Sequence, residues 1–288
     1  MPRRVRALPP PDGSLVQTMR RARALLIDLD GVLVQAGHVL PGAVEGLAEL
    51  ERRRVPYLVA TNTSLMSRAT LAERMAARGV HLDPAHIVSA LSVTAELTAR
   101  RFPGGPILVL ASDDARREFA GQRLLPPTDE SDARDGCAAV VIGDAAEALS
   151  FANMDRAFRL VRGGARLIAM HRNPWWITAA GPTLDAGAFV VGLEFATRRR
   201  ALVGGKPSPT FFAAALRALG HPAAEVVMIG DDLRADVAGG RRAGLRAVWV
   251  GSGRHEPADL ARHMARGEPP PDATARDFAA VVAALREA

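Results

Sequence analysis

The 288-residue sequence predicts an α/β protein: a doubly wound, Rossmann-like parallel sheet core with a smaller α/β domain inserted into it. Three observations lead there. Short apolar runs without turn residues alternate with helical patterns, which implies parallel strands with helices on both faces. Several of these runs end in polar or acidic residues: Asp28 and Asp30, Thr61 and Asn62, Asp231 and Asp232. Between them, a second strand–helix series of about 85 residues, within the size range of a small domain, begins near Pro106 and closes near Gly181-Pro182.

Residues 1–23 carry Arg3, Arg4, Arg6, Arg20, Arg21 and Arg23 around Pro9-Pro10-Pro11 and are expected to form a flexible basic arm. Ala24 to Ile27 is a short apolar run that reads as a buried strand. Asp28 and Asp30 follow it; positions i and i+2 of an extended chain project to one side, so both carboxylates would face one pocket. Gly31 lets the chain turn away without steric cost. A helical pattern runs through Val44, Leu47, Leu50 and Arg54, and a second strand, Pro56 to Ala60, leads into Thr61-Asn62-Thr63-Ser64. Ser67 is placed to cap a helix over 69–78 that Gly79 closes. His86 to Ser89 is a third strand, with a helix through Val93, Leu97 and Arg101 behind it.

This places the core at 24–103 and 187–288 and the insert at 104–186. In the insert, strands at 107–110, 138–143 and 167–170 alternate with helices at 112–120 and 151–162, and a loop from His171 to Trp176 follows. The core resumes with a helix over 187–196 and a strand at 201–203 that leads into Gly204-Gly205-Lys206-Pro207. Ser208 and Pro209 then cap and begin a helix that Gly220 ends. A strand at 226–230, a helix over 235–243, a strand at 247–250 and a helix over 277–286 complete the pattern.

Composition narrows the class of function. A hydrophobic content of 48% suits a globular protein with a real core. The net charge is +6, but all the basic residues save Lys206 are Arg. The Arg and Ala excess reads as the imprint of a GC-rich genome, so the basic balance is weak support for a nucleic-acid partner. Cys137 is the only cysteine, which rules out an intrachain disulfide, fits a reducing cytoplasm and reads as a buried, inert thiol. No apolar run reaches signal-peptide or membrane-span length, so a cytoplasmic protein with no membrane partner is expected.

The polar strand ends carry the chemistry. Carboxylates at the ends of central strands are costly unless something binds them. Carboxylate oxygens plus water suit Mg²⁺. A hydroxyl, a backbone N–H and a Lys are what a transferring phosphoryl group needs at its equatorial oxygens. Lys206 is informative because a bias toward Arg spared it: an ammonium is a compact charge on a thin stem, whereas a guanidinium is a wide fork. Other devices are excluded, since the sequence holds no Walker A loop, no G-x-G-x-x-G after a strand, no G-x-S-x-G elbow, no H-E-x-x-H and no paired C-x-x-C.

Four ordered motifs resemble those of the haloacid dehalogenase (HAD) superfamily phosphatases: Asp28-Leu29-Asp30-Gly31-Val32, Thr61-Asn62, Lys206-Pro207 and Gly230-Asp231-Asp232-Leu233-Arg234-Ala235-Asp236. The insert between the second and third motifs resembles the C2 cap of subfamily IIA. The resemblance implies an HAD-like fold and a Mg²⁺-dependent phosphatase acting on a small phosphorylated substrate: a phosphomonoester, phosphoamino acid or pyrophosphate. It implies that Asp28 attacks phosphorus and that Asp30 serves as acid and then base. Asp28, the Asp30 main-chain carbonyl and Asp231 would hold Mg²⁺. Thr61, Asn62 and Lys206 would hold the phosphoryl group, with Asp232 and Asp236 behind them. The cap loop, with His171, Asn173, Trp175 and Trp176, would select the leaving group; packing within the cap is the alternative for the Trp pair. Capped relatives often pair through the cap, so a homodimer stays open. The competing reading is a non-catalytic phosphate- or partner-binding module on the same fold. A nucleic-acid binder rests on the Arg-rich arm alone, and dehalogenase chemistry leaves Asp231 and Asp232 unexplained.

Overall fold

The computed structural model describes residues 14–126, 136–178, 181–253 and 255–288, with the side chains of Ala146, Glu147, Trp176, Ile177 and Thr178 left out. In chain order, α1 (Leu15–Arg20), β1 (Ala24–Asp28), β2 (Val34–Gln35), β3 (His38–Val39), α2 (Ala43–Arg53), β4 (Tyr57–Thr61), α3 (Arg68–Ala76), β5 (Ile87–Ser89) and α4 (Ala90–Arg101) come first. Next are β6 (Ile107–Leu110), α5 (Asp113–Arg116), β7 (Leu124–Leu125), β8 (Ala139–Ile142), α6 (Phe151–Arg162), β9 (Arg166–Ala169), β10 (Trp175–Thr178), β11 (Gly181–Leu184), α7 (Ala186–Thr197) and β12 (Leu202–Val203). The chain ends with α8 (Pro209–Leu219), β13 (Val226–Gly230), a π-helical turn (Leu233–Ala238), α9 (Gly239–Arg242), β14 (Arg246–Val250), α10 (Pro257–Ala265), β15 (Ala273–Ala275) and α11 (Phe278–Glu287).

These elements form two compact units, one of Met1–Thr61, Ala72–Val88 and Phe212–Ala288, the other of Asn62–Leu71 and Ser89–Phe211. The first holds a six-stranded sheet in the order β15-β14-β13-β1-β4-β5. Chain order runs outward from β1 on one side and from β13 on the other, so the direction of winding reverses between those two strands. Both are buried on both faces, as continuous apolar strands of a parallel sheet must be. The register pairs Ile27 with Ile229 and Asp28 with Ala60. Ligands of open α/β sheets bind beyond the carboxyl ends of the strands at such a reversal.

The N-terminal arm departs from expectation within its described part. Residues 15–20 are helical, and Met19 and Thr18 are buried, because the apolar Leu15, Val16 and Met19 give α1 a face that packs on α11. Pro9-Pro10-Pro11 and the first three arginines lie outside the described residues.

On α2, Glu49 accepts hydrogen bonds from Arg52 and Arg53 and pairs with Arg286 of α11. The Arg52 and Arg53 bonds, with the charge of Arg286, hold its carboxyl at about 2 against an ordinary 4.5. A folded pKa lowered in this way adds stability above the unfolded value, and that stability is lost as pH falls through the window from 4.5 toward 2. Glu49→Gln is therefore expected to lower Tm at pH 7 but to match the parent near pH 2, as thermal scans across that range would read out.

The second unit holds a parallel five-stranded sheet, β12-β9-β8-β6-β7. Alternate residues serve opposite faces. Leu108, Val140 and Leu167 join Ala186, Val190 and Leu193 of α7, while Val109, Val141 and Ile168 join Ala90, Leu91 and Ala95 of α4. The compact unit accordingly takes in α4 and α7 and runs over Ser89–Phe211 together with Asn62–Leu71.

The expected loop at 171–176 runs into the antiparallel hairpin β10–β11, which pairs Trp175 with Leu184. The β2–β3 hairpin, β7 and β15 have too few residues to show a period, and α10 was not expected although Pro257 begins it and Leu260 is buried. No helix among the described residues is long and apolar enough to cross a membrane. Cys137 is half-buried, donates to the Ala139 carbonyl at 3.1 Å, and has its pKa raised by burial, as an inert thiol should.

Candidate active site

Asp28 closes β1 and Asp231 follows β13, so the two acids stand at the carboxyl ends of the strands where the winding reverses. Asp236 joins them from the π-helical turn. One carboxylate oxygen from each lies within 4.8 Å of the others, and all three residues are buried. Exposure is 6% for Asp28, 1% for Asp231 and 0% for Asp236. The Leu29 N–H donates to Asp28 Oδ1 at 2.8 Å and fixes that carboxylate's plane. The Asp232 N–H donates to Asp236 Oδ2 at 3.1 Å.

Glycines make the room. A Cβ on Gly31, whose φ is +87°, would sit 2.5 Å from Asp231 Cγ; one on Gly253 would sit 2.0 Å from Asp231 Oδ2; one on Gly230 would sit 2.2 Å from Asp236 Oδ2. Three carboxylates drawn this close in a buried place repel one another unless a cation compensates. The donor set is all oxygen, which suits a hard divalent cation such as Mg²⁺.

The cluster takes in Asp236 beside Asp28 and Asp231, while the Asp30 side chain is exposed and lies outside it; the expected ligand from Asp30 was its main-chain carbonyl. The rule that i and i+2 share a side holds only along a strand, and β1 ends at Asp28. Past that point the chain turns, with the Gly31 N–H on the Val34 carbonyl at 2.7 Å. Asp232 acts locally, where its Oδ1 accepts from the N–H groups of Arg234 and Ala235 and caps the π-helical turn.

Thr61 is buried at the end of β4. Asn62 and Lys206 meet in the second unit. The Asn62 side chain accepts the Lys206 N–H at 2.8 Å and donates to the Lys206 carbonyl at 3.0 Å, a two-point clamp on the backbone of the lone lysine. Gly204 and Gly205 permit it, since a Cβ would lie 2.0 Å from Thr94 Oγ1 at the first and 2.7 Å from Asn62 Oδ1 at the second. Lys206 itself is buried.

Comparison with known proteins gives the chain its family. The signature of the haloacid dehalogenase-like hydrolases matches residues 25–124, and an HAD-hydrolase-like signature matches 203–281. The haloacid dehalogenase-like hydrolase domain-containing protein 2 of Bos taurus is 36% identical over 242 residues, 84% of this chain and 89% of that one. The chain belongs to the haloacid dehalogenase-like hydrolases.

Human phospholysine phosphohistidine inorganic pyrophosphate phosphatase is 34% identical over 244 residues, 82% of this chain and 86% of that one. Glycerol phosphate phosphatase of Mycobacterium tuberculosis, solved in complex with magnesium, superposes with a TM-score of 0.79 at 26% identity, covering 93% of this chain and 78% of that one. This HAD-like hydrolase is thus of the phosphatase type, with the α/β fold of its relatives.

The expected cap residues of the hydrolase fare differently. His171 is 3% exposed, and its Nε2 lies 2.9 Å from Ser64 Oγ and 3.7 Å from Asp185 Oδ1. The Asn173 N–H donates to Nδ1 at 3.3 Å, so Nε2 carries the proton. Burial pushes the His171 pKa down against the pull of Asp185 and Asp144, and the ring stays neutral. Ser, His and Asp here are not a nucleophilic triad, because the carboxylate stands at the nitrogen that faces the serine rather than at the other one. His171 and Asn173 thus tie the strand end at β9 to the segment after Asn62. Trp175 is 56% exposed on its hairpin, and the side chain of Trp176 lies outside the described residues.

Asp114 also belongs to the scaffold of the HAD-like hydrolase, accepting from Ser67 N–H at 2.8 Å and Thr70 Oγ1 at 2.9 Å. Sequence reasoning missed four residues around Asp231. Ser252 donates to the Gly31 carbonyl at 2.7 Å, Gly253 crowds Asp231, and Trp249 and His255 reach the Asp231 carbonyl. The Gly251-Ser252-Gly253 turn after an apolar strand was the one available signal; nothing in the sequence marked Trp249 or His255.

Proposed function

We propose that this hydrolase is a Mg²⁺-dependent phosphatase that cleaves a small phosphorylated substrate through an aspartyl-phosphate on Asp28. The observation that carries the reading is the trio of buried carboxylates, Asp28, Asp231 and Asp236, within 4.8 Å of one another where the sheet reverses. These residues, with the Asp30 carbonyl, would hold the ion, which supplies positive charge to the transferring phosphoryl group.

The chain's own groups do the rest. An Asp28 oxygen forms a bond to phosphorus as the bond to the leaving oxygen breaks. Asp30, exposed and so able to exchange protons with solvent, gives its proton to that oxygen. It then takes one from the water that attacks the aspartyl-phosphate, and orthophosphate leaves with Asp28 restored. Acid–base help of this kind is worth about 10²–10⁴-fold. Thr61, the Asn62 N–H and Lys206 are assigned to the phosphoryl oxygens, with the Asn62 clamp setting where the lysine starts.

The named activities of the relatives support a phosphomonoester, a phosphoamino acid or pyrophosphate as substrate class. The exposed Trp175 and its cross-strand neighbour Leu184 are assigned to contact with the leaving group. A cytoplasmic protein acting alone or as a homodimer completes the reading. In support of pairing, α7 leaves Val191 and Phe195, one helical turn apart, exposed.

A screen across these substrate classes with p-nitrophenyl phosphate as reference tests the proposal. Phosphate release is expected with Mg²⁺ and is expected to vanish in excess chelator and return when Mg²⁺ is restored. Release that ignores the chelator would refute the metal assignment, and no release from any class would favour the binding module.

A further inference from the structure

The geometry points to Trp249 and His255 as positioning residues of the metal centre, acting through the main-chain carbonyl of Asp231. The inference rests on reading Asp231 as a metal ligand and goes beyond it, because neither residue belongs to the motifs that carry the family resemblance.

Strand register puts the indole in place. Gly230 at the end of β13 pairs with Trp249 in β14, so Asp231 lies one residue beyond the pair. Trp249 is wholly buried, and its Nε1–H donates to the Asp231 carbonyl at 2.9 Å. A buried indole N–H needs an acceptor, and this one has been given the carbonyl of a cluster residue. The second lone pair of the same oxygen faces His255 Nδ1 at 3.2 Å. A carbonyl oxygen can only accept, so His255 carries its proton on Nδ1. Both lone pairs of one peptide are thereby filled by side chains from outside the strand.

The other end of the residue is confined as well. Gly31 and Gly253 approach the Asp231 carboxylate so closely that a Cβ at either would overlap it. Asp231 is held at its carbonyl by two donors and at its carboxylate by two backbones. The Asp231, Asp28 and Asp236 carboxylates lie within 4.8 Å of one another, a spacing that makes the orientation of each one matter to an ion held between them. Groups behind a metal ligand that fix its orientation typically govern metal affinity by about 10–100-fold.

The test is calorimetric titration of Mg²⁺ into substrate-free protein, with thermal scans in chelator alongside. Trp249→Phe keeps the ring and removes the N–H; His255→Ala removes the second donor; His255→Asn places an amide N–H near the position of Nδ1. Trp249→Phe and His255→Ala are each expected to weaken Mg²⁺ binding about tenfold. His255→Asn is expected to recover most of the loss, and the double variant to bind more weakly than either single one. Parent-like Mg²⁺ affinity in both single variants, with Tm alone reduced, would overturn the inference, as would a His255→Asn no better than His255→Ala. If Trp249→Phe does not fold, the His255 pair decides. Asp231→Asn separates the failures. Parent-like binding there refutes the ligand reading and this inference with it, whereas binding lost there but kept in Trp249→Phe and His255→Ala refutes the inference alone.

Discussion

Asp28→Asn is expected to fold like the parent and to lose phosphatase turnover by roughly four orders of magnitude or more, the scale seen when a covalent nucleophile is removed. An amide has nearly the shape of a carboxylate, and its oxygen can still accept the Leu29 N–H now held at 2.8 Å. The substitution also removes one of three mutually repelling charges from a buried cluster, so Tm in chelator is expected to equal or exceed that of the parent. Mg²⁺ binding weakens because an anionic oxygen becomes a neutral one. A discontinuous phosphate assay and a thermal scan check the two halves. Near-parent turnover would remove Asp28 as the nucleophile, whatever the cluster does with metal.

Gly31→Ala is the second large effect, although it deletes no functional group. Two penalties act together. The residue sits at φ +87°, where an L side chain costs roughly 1–2 kcal/mol. Its Cβ would also lie 2.5 Å from Asp231 Cγ and 2.6 Å from Oδ2, so the carboxylate must move. Half-saturation by Mg²⁺ is expected to rise at least about tenfold, with turnover falling in parallel. Gly37→Ala is the control, because its φ is +82° but nothing stands within 4 Å of the added methyl. It should share the loss in Tm and keep the metal dependence. Identical Mg²⁺ titrations for the two variants would mean that crowding at Asp231 is irrelevant.

What the sequence revealed depended on the range of the interaction. Buried parallel strands read as continuous apolar runs, so β1, β4, β6, β8, β9 and β13 were legible, and so were the acids at the ends of β1 and β13. Asp236 was harder to place. It lies five positions after Asp231, and the π-helical turn capped by Asp232 carries its carboxylate into the cluster. The Asn62 clamp on Lys206 joins residues 144 apart in the chain, and the Trp249 bond to Asp231 crosses between strands; no local pattern encodes either. His171 is another such case: its ring is engaged on both nitrogens, by Ser64 and by the Asn173 N–H, and the first of these partners is 107 residues away. The packing of α4 and α7 on the second sheet is set by their apolar faces, which Pro and Gly punctuation does not mark.

The division of the chain bears on how this enzyme could be recombined with its relatives. The second unit is drawn from Asn62–Leu71 and Ser89–Phe211, so the polypeptide passes between units at four points. A transplant cut at one pair of sites would leave the short stretch behind and separate Asn62 from the lysine it grips. A graft that preserves that grip has to carry both stretches from the donor, Asn62–Leu71 together with Ser89–Phe211.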